Sequence, residues 1–168
     1  MNFEFSDEQN LLREQARGFL GDNCGTKVVR NILEGDNSYD QDLWRQIVEM
    51  GWTAAVIPEE YDGLGLGYLE LSVIAEELGR VYAPVPFSSS VYLASEAILA
   101  AGSDAQKEAW LPKLASGNTI GCFALVEGPG QSSEANISAS VEGGTLTGTK
   151  LPVADGDIAD VAVVIAKQ

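Results

Sequence analysis

The feature that most constrains this chain is a change of hydrophobic period at Gly117. Before it, apolar residues return at the spacing of a helix face; after it, they alternate. A chain patterned in this way folds its first part as packed helices and its last part as strands, because the wrong period would turn apolar side chains toward water. The border stretch, residues 120–137 (IGCFALVEGPGQSSEANI), runs from an apolar strand-like segment into a loop of small and polar residues. Gly128, Gly130, Ser132 and Ser133 put little side chain in the way there, so backbone N–H groups can approach a flat or phosphorylated ligand.

Upstream, Ser6 and Gln9 form a capping-box pattern, and Leu12, Ala16, Phe19 and Leu20 follow on one face, which predicts a helix over 7–20 stopped by Gly21. A second helix is expected over 27–34, ending at Gly35. A third runs from Asp42 through Leu43, Trp44, Ile47 and Val48 and closes at Gly51. Asp36, Ser38 and Asp40 alternate as in a calcium loop, but Gln41 and Ile47 occupy the positions that need Gly and Glu. The segment therefore reads as a solvated loop that caps the third helix. In residues 52–67, Gly63, Gly65 and Gly67 lack the spacing and the strand–turn–helix setting of a dinucleotide fingerprint, so the stretch reads as a buried irregular connection.

Leu71, Ile74, Ala75 and Leu78 predict a fourth helix ending at Gly79, with Pro84 and Pro86 preventing its continuation. Val91, Ala94, Ser95 and Ile98 predict a fifth, ended by Gly102. A second capping box, Ser103 with Gln106, opens a sixth helix that carries Trp110, Leu111 and Leu114 and is expected to bend or restart near Pro112. Glu76 and Glu77 point about 100° apart on their helix, so they do not make a facing acid–base pair, and at least one is expected to be a solvated surface charge.

Beyond Gly117, Ile137, Ala139 and Val141 alternate toward Gly143 and Gly144, with Leu146 after the turn, which is a hairpin signal. Residues 161–166 (VAVVIA) are apolar on both faces and need cover on either side. About four strands are too few to shield the edges of such a sheet, so more chain or a second chain is expected to complete it.

Composition narrows the function. Ten Lys and Arg stand against 25 Asp and Glu, and the formal charge of −15 opposes attraction to nucleic acid or anionic lipid. There is no His, and Cys24 and Cys122 are far apart in sequence, which excludes His-based metal centres and Cys–His catalysis. Glu4, Asp7 and Glu8 stand where a signal peptide needs positive charge, and no 18-residue apolar run occurs. The expectation is a soluble cytoplasmic protein with no membrane and no nucleic-acid partner.

The segments FSDEQNLLREQARGF, LWRQIVEMGWTAAVIPEEYDGLGLGYLELSVIAEELGR, GSDAQKEAWLPKLASG, IGCFALVEGPGQSSEANI and GTKLPVADGDIADVAVVIA, in this order, resemble the acyl-CoA dehydrogenase family over essentially the whole chain. The resemblance implies a multi-domain α and β fold. An N-terminal all-α helical bundle over residues 1–117 is followed by the beginning of the middle β domain over 118–168, an antiparallel β-barrel or sandwich left incomplete. It implies oxidation of an acyl-CoA thioester between its α and β carbons, FAD as acceptor of the β hydride, an electron-transferring flavoprotein as electron partner, and homo- or hetero-oligomers of such subunits. The family's catalytic Glu belongs to a C-terminal helical domain outside these residues, so no acidic residue here takes its place.

Position by position, the resemblance implies that Phe123, Leu125 and Val126 line the isoalloxazine, that Ser132 meets the FAD or the substrate, and that Val153 and Ala154 sit at the ring. Tyr92, Leu93 and Glu96 fall on the helix that borders the acyl pocket in the family, or are packing and surface residues. The chain departs from the family pattern at several of these places. Val126 stands where Thr or Ser is usual, Gly128-Pro129-Gly130-Gln131 replaces Pro-Gly-Ala-Gly, Ser133 replaces Asp, and Pro152 and Ala154 replace a Trp and a Ser or Thr. Two hydroxyl contacts and a stacking surface are lost, each worth about 1 kcal/mol in a buried site. The alternative that the resemblance implies is a structural subunit of a two-chain dehydrogenase that binds no FAD alone.

Overall fold

Capping chemistry starts the helices where the sequence places them. In the computed structural model, which describes residues 4–130 and 133–168, α1 (Asp7–Asn23) opens on a full capping box. Gln9 N–H donates to Ser6 Oγ at 3.2 Å, and Ser6 N–H donates to Gln9 Oε1 at 2.9 Å. The helix runs past the expected stop at Gly21. The reason is tertiary: Leu20 and Cys24 are both buried, and Cys24 N–H donates to Leu20 O at 2.8 Å, which offsets the helix penalty of about 1 kcal/mol for Gly.

After α2 (Thr26–Glu34), Asp40 caps α3 (Gln41–Glu49) by accepting from Leu43 N–H at 2.8 Å, the role the sequence assigns to that loop. Residues 52–67 form two short 3₁₀ turns, Trp52–Ala54 and Glu59–Tyr61, around the buried Trp52, Ala55 and Ile57. The chain then folds back, with Leu64 N–H on Ala54 O at 2.9 Å and Leu66 N–H on Ala55 O at 2.7 Å. Gly63 permits this, because a Cβ there would lie 1.8 Å from Ile57 O.

Helix α4 (Tyr68–Arg80) packs along α1 and carries the two glutamates in different settings. Glu76 is the exposed one and takes Arg13 at 3.0 Å. Glu77 is 1% exposed and is gripped by Arg17 at 2.6 and 3.0 Å and by Arg80 at 3.3 Å. Hydrogen bonding from Arg17, opposed by burial, holds the Glu77 carboxyl below the usual carboxylate range.

The fifth helix begins as a π-helical segment, Ser88–Ser95, and continues as α5 (Glu96–Ala101). Helix α6 (Asp104–Ala115) repeats the capping box at Ser103 and Gln106. It continues as one helix through Pro112, with no restart there. Leu111, Leu114 and Ala115 are buried on either side of the proline, and Thr53 Oγ1 donates to Ala115 O at 2.7 Å, so the last turn is held from outside the helix.

Four short strands follow. Strands β2 (Ser140–Glu142) and β3 (Thr145–Thr147) make the expected antiparallel hairpin. Gly143 (φ +54°) and Gly144 (φ +80°) supply the two positive φ values of a type I′ turn. Strands β1 (Gly121–Ala124) and β4 (Val161–Val164) depart from the antiparallel expectation and pair in parallel, Gly121 opposite Val161 and Ala124 opposite Val164. Residues 125–160 between them are long enough for the crossover that a parallel pair requires. Among the described residues the strands form two two-stranded sheets and no closed barrel.

The parallel pair rests on the helices. One buried cluster of Leu20, Ile47, Trp52, Ile74 and Val91 reaches Ile120, and another of Ile57, Ile98, Leu111 and Leu114 has Val161 and Val163 packed against it. Contact is closest at Gly121, whose N–H donates to Ser90 Oγ at 3.2 Å. A Cβ added there would lie 2.5 Å from Ala94 Cβ and 3.1 Å from Leu114 Cδ2. Gly121→Ala is therefore expected to cost about 1–3 kcal/mol by overpacking. Urea unfolding is the check, with a lower midpoint at an unchanged slope.

Candidate functional site

Strand β1 leaves the helices at Ala124, and the chain continues through the half-buried Leu125, Val126 and Glu127 into Gly128 (φ +129°) and Gly130 (φ +122°). An added Cβ at either glycine would meet nothing within 4 Å, so the backbone here borders open space. A cavity of about 260 Å³ lies at this turn, lined by Leu125, Glu127, Gly128, Gly130, Asn136 and Ile137 among others. Ser132 lies outside the described residues.

A second segment, residues 150 and 151, is bonded to the chain that leads into this turn. Leu151 N–H donates to Val126 O at 2.8 Å, and Lys150 Nζ donates to Leu125 O at 3.2 Å and to Glu127 Oε1 at 2.6 Å. Glu127 also accepts from Ser138 N–H at 2.7 Å, from Ala139 N–H at 2.9 Å and from Ser138 Oγ. Lys150 first, then Ser138 and the backbone donors, hold the Glu127 carboxyl well below the usual carboxylate range. The sequence reading passed over this pair. The two residues are 23 positions apart, and an acid at a strand end with a distant lysine carries no short-range signal.

The predicted site residues are only partly gathered. Phe123 is half-buried in β1 opposite Val163, and by strand alternation it shares a face with Leu125. Leu125 lines the cavity, and the Val126 carbonyl is the contact to the second segment. Val153 is half-buried and Ala154 exposed, and among the described residues neither is hydrogen-bonded to Phe123 or Leu125.

Just beyond them, three carboxylates fasten the loop to the helices and to β1. Asp155, a non-glycine residue at φ +54°, accepts from the fully buried Ser89 Oγ of the π-helical segment. Asp157 accepts from Ser38 Oγ at 2.7 Å, and Asp160 accepts from Ile120 N–H at 2.8 Å. Burial, with Asp155 adding a smaller effect, pushes the Cys122 thiol up.

Tyr92, Leu93 and Glu96 serve different surroundings. Tyr92 packs edge-on against Phe87 and lines a second cavity of about 220 Å³ with Leu78 and Tyr82; burial pushes its hydroxyl up. Leu93 is exposed, and Glu96 accepts from Tyr68 OH at 2.8 Å.

A helical bundle that delivers a strand into a glycine-edged turn, with a second returning segment bonded beside it, defines a two-part α-then-β unit with a recess in its β part. A family model of the acyl-CoA dehydrogenase N-terminal domain matches residues 6–118, and the chain belongs to the acyl-CoA dehydrogenase family. It is 32% identical over 169 residues to the mitochondrial isovaleryl-CoA dehydrogenase of Pongo abelii, covering 96% of this chain and 40% of that protein. The structure of butyryl-CoA dehydrogenase from Megasphaera elsdenii superposes with a TM-score of 0.84 at 27% identity, covering 99% of this chain and 45% of that one. The ChsE4-ChsE5 complex from Mycobacterium tuberculosis superposes with a TM-score of 0.86 at 29% identity, over 100% of this chain and 46% of the matched one. The chain thus spans less than half the length of these relatives. No helix among the described residues is long and apolar enough to cross a membrane.

Set against the flavin that the resemblance implies, the recess fits in one respect and departs in another. Leu125, Pro129 and Ile137 give apolar lining, and the glycines leave the backbone approachable. Val126, Pro152 and Ala154 carry no side-chain hydroxyl or N–H. The residues present fit a flavin held by apolar contact and backbone groups, not one held by hydroxyls at 126 and 154.

The depressed Glu127 carboxyl has a consequence for acid stability. Its contribution is fully present above the ordinary carboxylate value of about 4.3 and is lost as pH falls through its lower folded value. Amide hydrogen exchange at Ser138 and Ala139 is expected to remain protected at pH 5 and to open only well below about pH 4, which exchange measured along an acid series checks.

Proposed function

We propose that this chain forms the N-terminal helical domain, residues 1–117, and the beginning of the middle β domain, residues 118–168, of a flavin-dependent acyl-CoA dehydrogenase acting on a cytoplasmic acyl-CoA thioester. The observation that carries the reading is the bonding of residues 125–127 to 150–151 where the chain enters the glycine-edged cavity, in a chain of this family. FAD, when bound, supplies the acceptor for the hydride leaving the β carbon.

Phe123 and Leu125 present apolar surface to the ring and keep water from it. The Val126 carbonyl, held by Leu151 N–H, ties the returning segment to this one, and Val153 and Ala154 on that segment border the ring. The backbone at Gly128 and Gly130, with Ser132, receives the phosphorylated or thioester part of the ligand. The base that takes the α proton comes from outside these residues. Electrons leave to an electron-transferring flavoprotein, and the subunit works in a homo- or hetero-oligomer.

A second reading is favoured by a specific observation. Val126, Pro152 and Ala154 offer no side-chain hydroxyl or N–H to the polar edge of a flavin, and Lys150 is already engaged by Glu127. On this reading the chain is a non-catalytic subunit of a heteromeric dehydrogenase and meets FAD only together with an unlike partner.

The visible spectrum of the intact purified protein, recorded with and without acyl-CoA in the absence of oxygen, separates the two. Flavin absorbance that bleaches on adding acyl-CoA is the expected result for the first reading. A colourless protein that acquires bleachable flavin only with a co-purified subunit supports the second. Absence of flavin in both preparations overturns both.

A further inference from the structure

The Glu127 carboxylate joins three separate pieces of chain. It belongs to the exit from β1, it receives the paired backbone N–H groups of Ser138 and Ala139 at the entry to the hairpin, and it binds the ammonium of Lys150 at the start of the returning segment. Lys150 closes the figure by donating to Leu125 O, and the next residue, Leu151, bonds Val126 O. The Glu127 and Lys150 side chains are 11% and 7% exposed, so their attraction is little screened, and a charge left without its partner there would be costly.

We infer that the Glu127–Lys150 pair is a positioning element that sets the spacing of residues 123–126, which lead into the recess, against the returning residues 151–154 bonded to them. The inference rests on the function proposed above and adds to it the means by which the two segments are held. Two features make the pair more than an interchangeable salt bridge. The backbone N–H groups of Ser138 and Ala139 can only donate, so position 127 must carry an acceptor. Leu125 O presents an acceptor only, so position 150 must carry a donor. The charges therefore have a fixed direction. Glu127 remains ionised in acid that protonates ordinary carboxylates, so the spacing holds over the working pH range.

The test uses the intact protein, with its partner subunit if it has one, and compares Glu127→Gln, Lys150→Met, Ser138→Ala and the exchanged pair Glu127→Lys with Lys150→Glu. In Glu127→Gln and Lys150→Met, amide exchange at Leu151 is expected to speed up about tenfold or more while α1 and α4 keep their protection. The dissociation constant for FAD is expected to rise by about as much, and the visible flavin band to change shape. The exchanged pair restores neither property, because it reverses the donors and acceptors, whereas a plain salt bridge would be rescued.

Wild-type exchange at Leu151 in Glu127→Gln overturns the inference, as does full rescue by the exchanged pair. If the charge variants fail to fold, Ser138→Ala removes one donor and leaves the pair, and unchanged exchange at both Ala139 and Leu151 in that variant overturns the inference equally. If the wild-type protein holds no flavin under any condition, the proposed function fails while the exchange data still decide the role of the pair. If the wild type holds flavin and the variants hold it as tightly with an unchanged spectrum, the pair loses its role and the proposed function stands.

Discussion

At Gly121 the backbone of β1 lies so near the helices that a single added carbon would fall 2.5 Å from Ala94 Cβ. The residues before this point form a helical core whose clusters hold together through Leu20, Ile47, Trp52, Leu111 and Leu114. The residues after it are aimed by it. The π-helical segment Ser88–Ser95 provides the matching surface: its Ser90 hydroxyl accepts the Gly121 N–H, and its neighbour Ser89 reaches Asp155. π-Helical widenings recur at functional sites. Here the widened segment grips both the outgoing strand and the returning loop, so the two share one support.

The acid excess of the chain takes on meaning in this light. Several of its carboxylates are not solvated charges but fixed acceptors. Asp40 caps α3, Glu77 gathers Arg17 and Arg80, Asp155 and Asp157 fasten the returning loop to hydroxyls on the helical part, Asp160 takes the Ile120 N–H, and Glu127 binds backbone and Lys150 together. An ionised carboxylate accepts hydrogen bonds more strongly than a neutral oxygen and offers several lone pairs, so one side chain can tie segments far apart in sequence.

Local features of this architecture were legible in the sequence, and non-local ones were not. Both capping boxes, the cap at Asp40, the Gly143-Gly144 turn and the divergence of Glu76 from Glu77 depend on residues within a few positions of each other. Helix α1 passes Gly21 because Cys24 is buried, and α6 passes Pro112 because Thr53 and the core hold its end; neither partner is visible in a local window. The parallel pairing of β1 with β4 escaped because alternation reveals a strand but not the direction of its neighbour. Near the recess, family resemblance points to Leu125 and Val126, whereas the Glu127–Lys150 pair leaves no local signal, since only the folded chain brings the two together.

Strand β1 meets β4 with Gly121 opposite Val161, forty positions later. Closing so long a span costs chain entropy before any ladder bond forms in return, whereas the turns of α1 through α6 close over a few residues each. The helical part closes still longer spans, 60 positions between Arg17 and Glu77 and 62 between Thr53 and Ala115, so helical packing and the parallel pair meet the same entropic demand and are expected to lock in together.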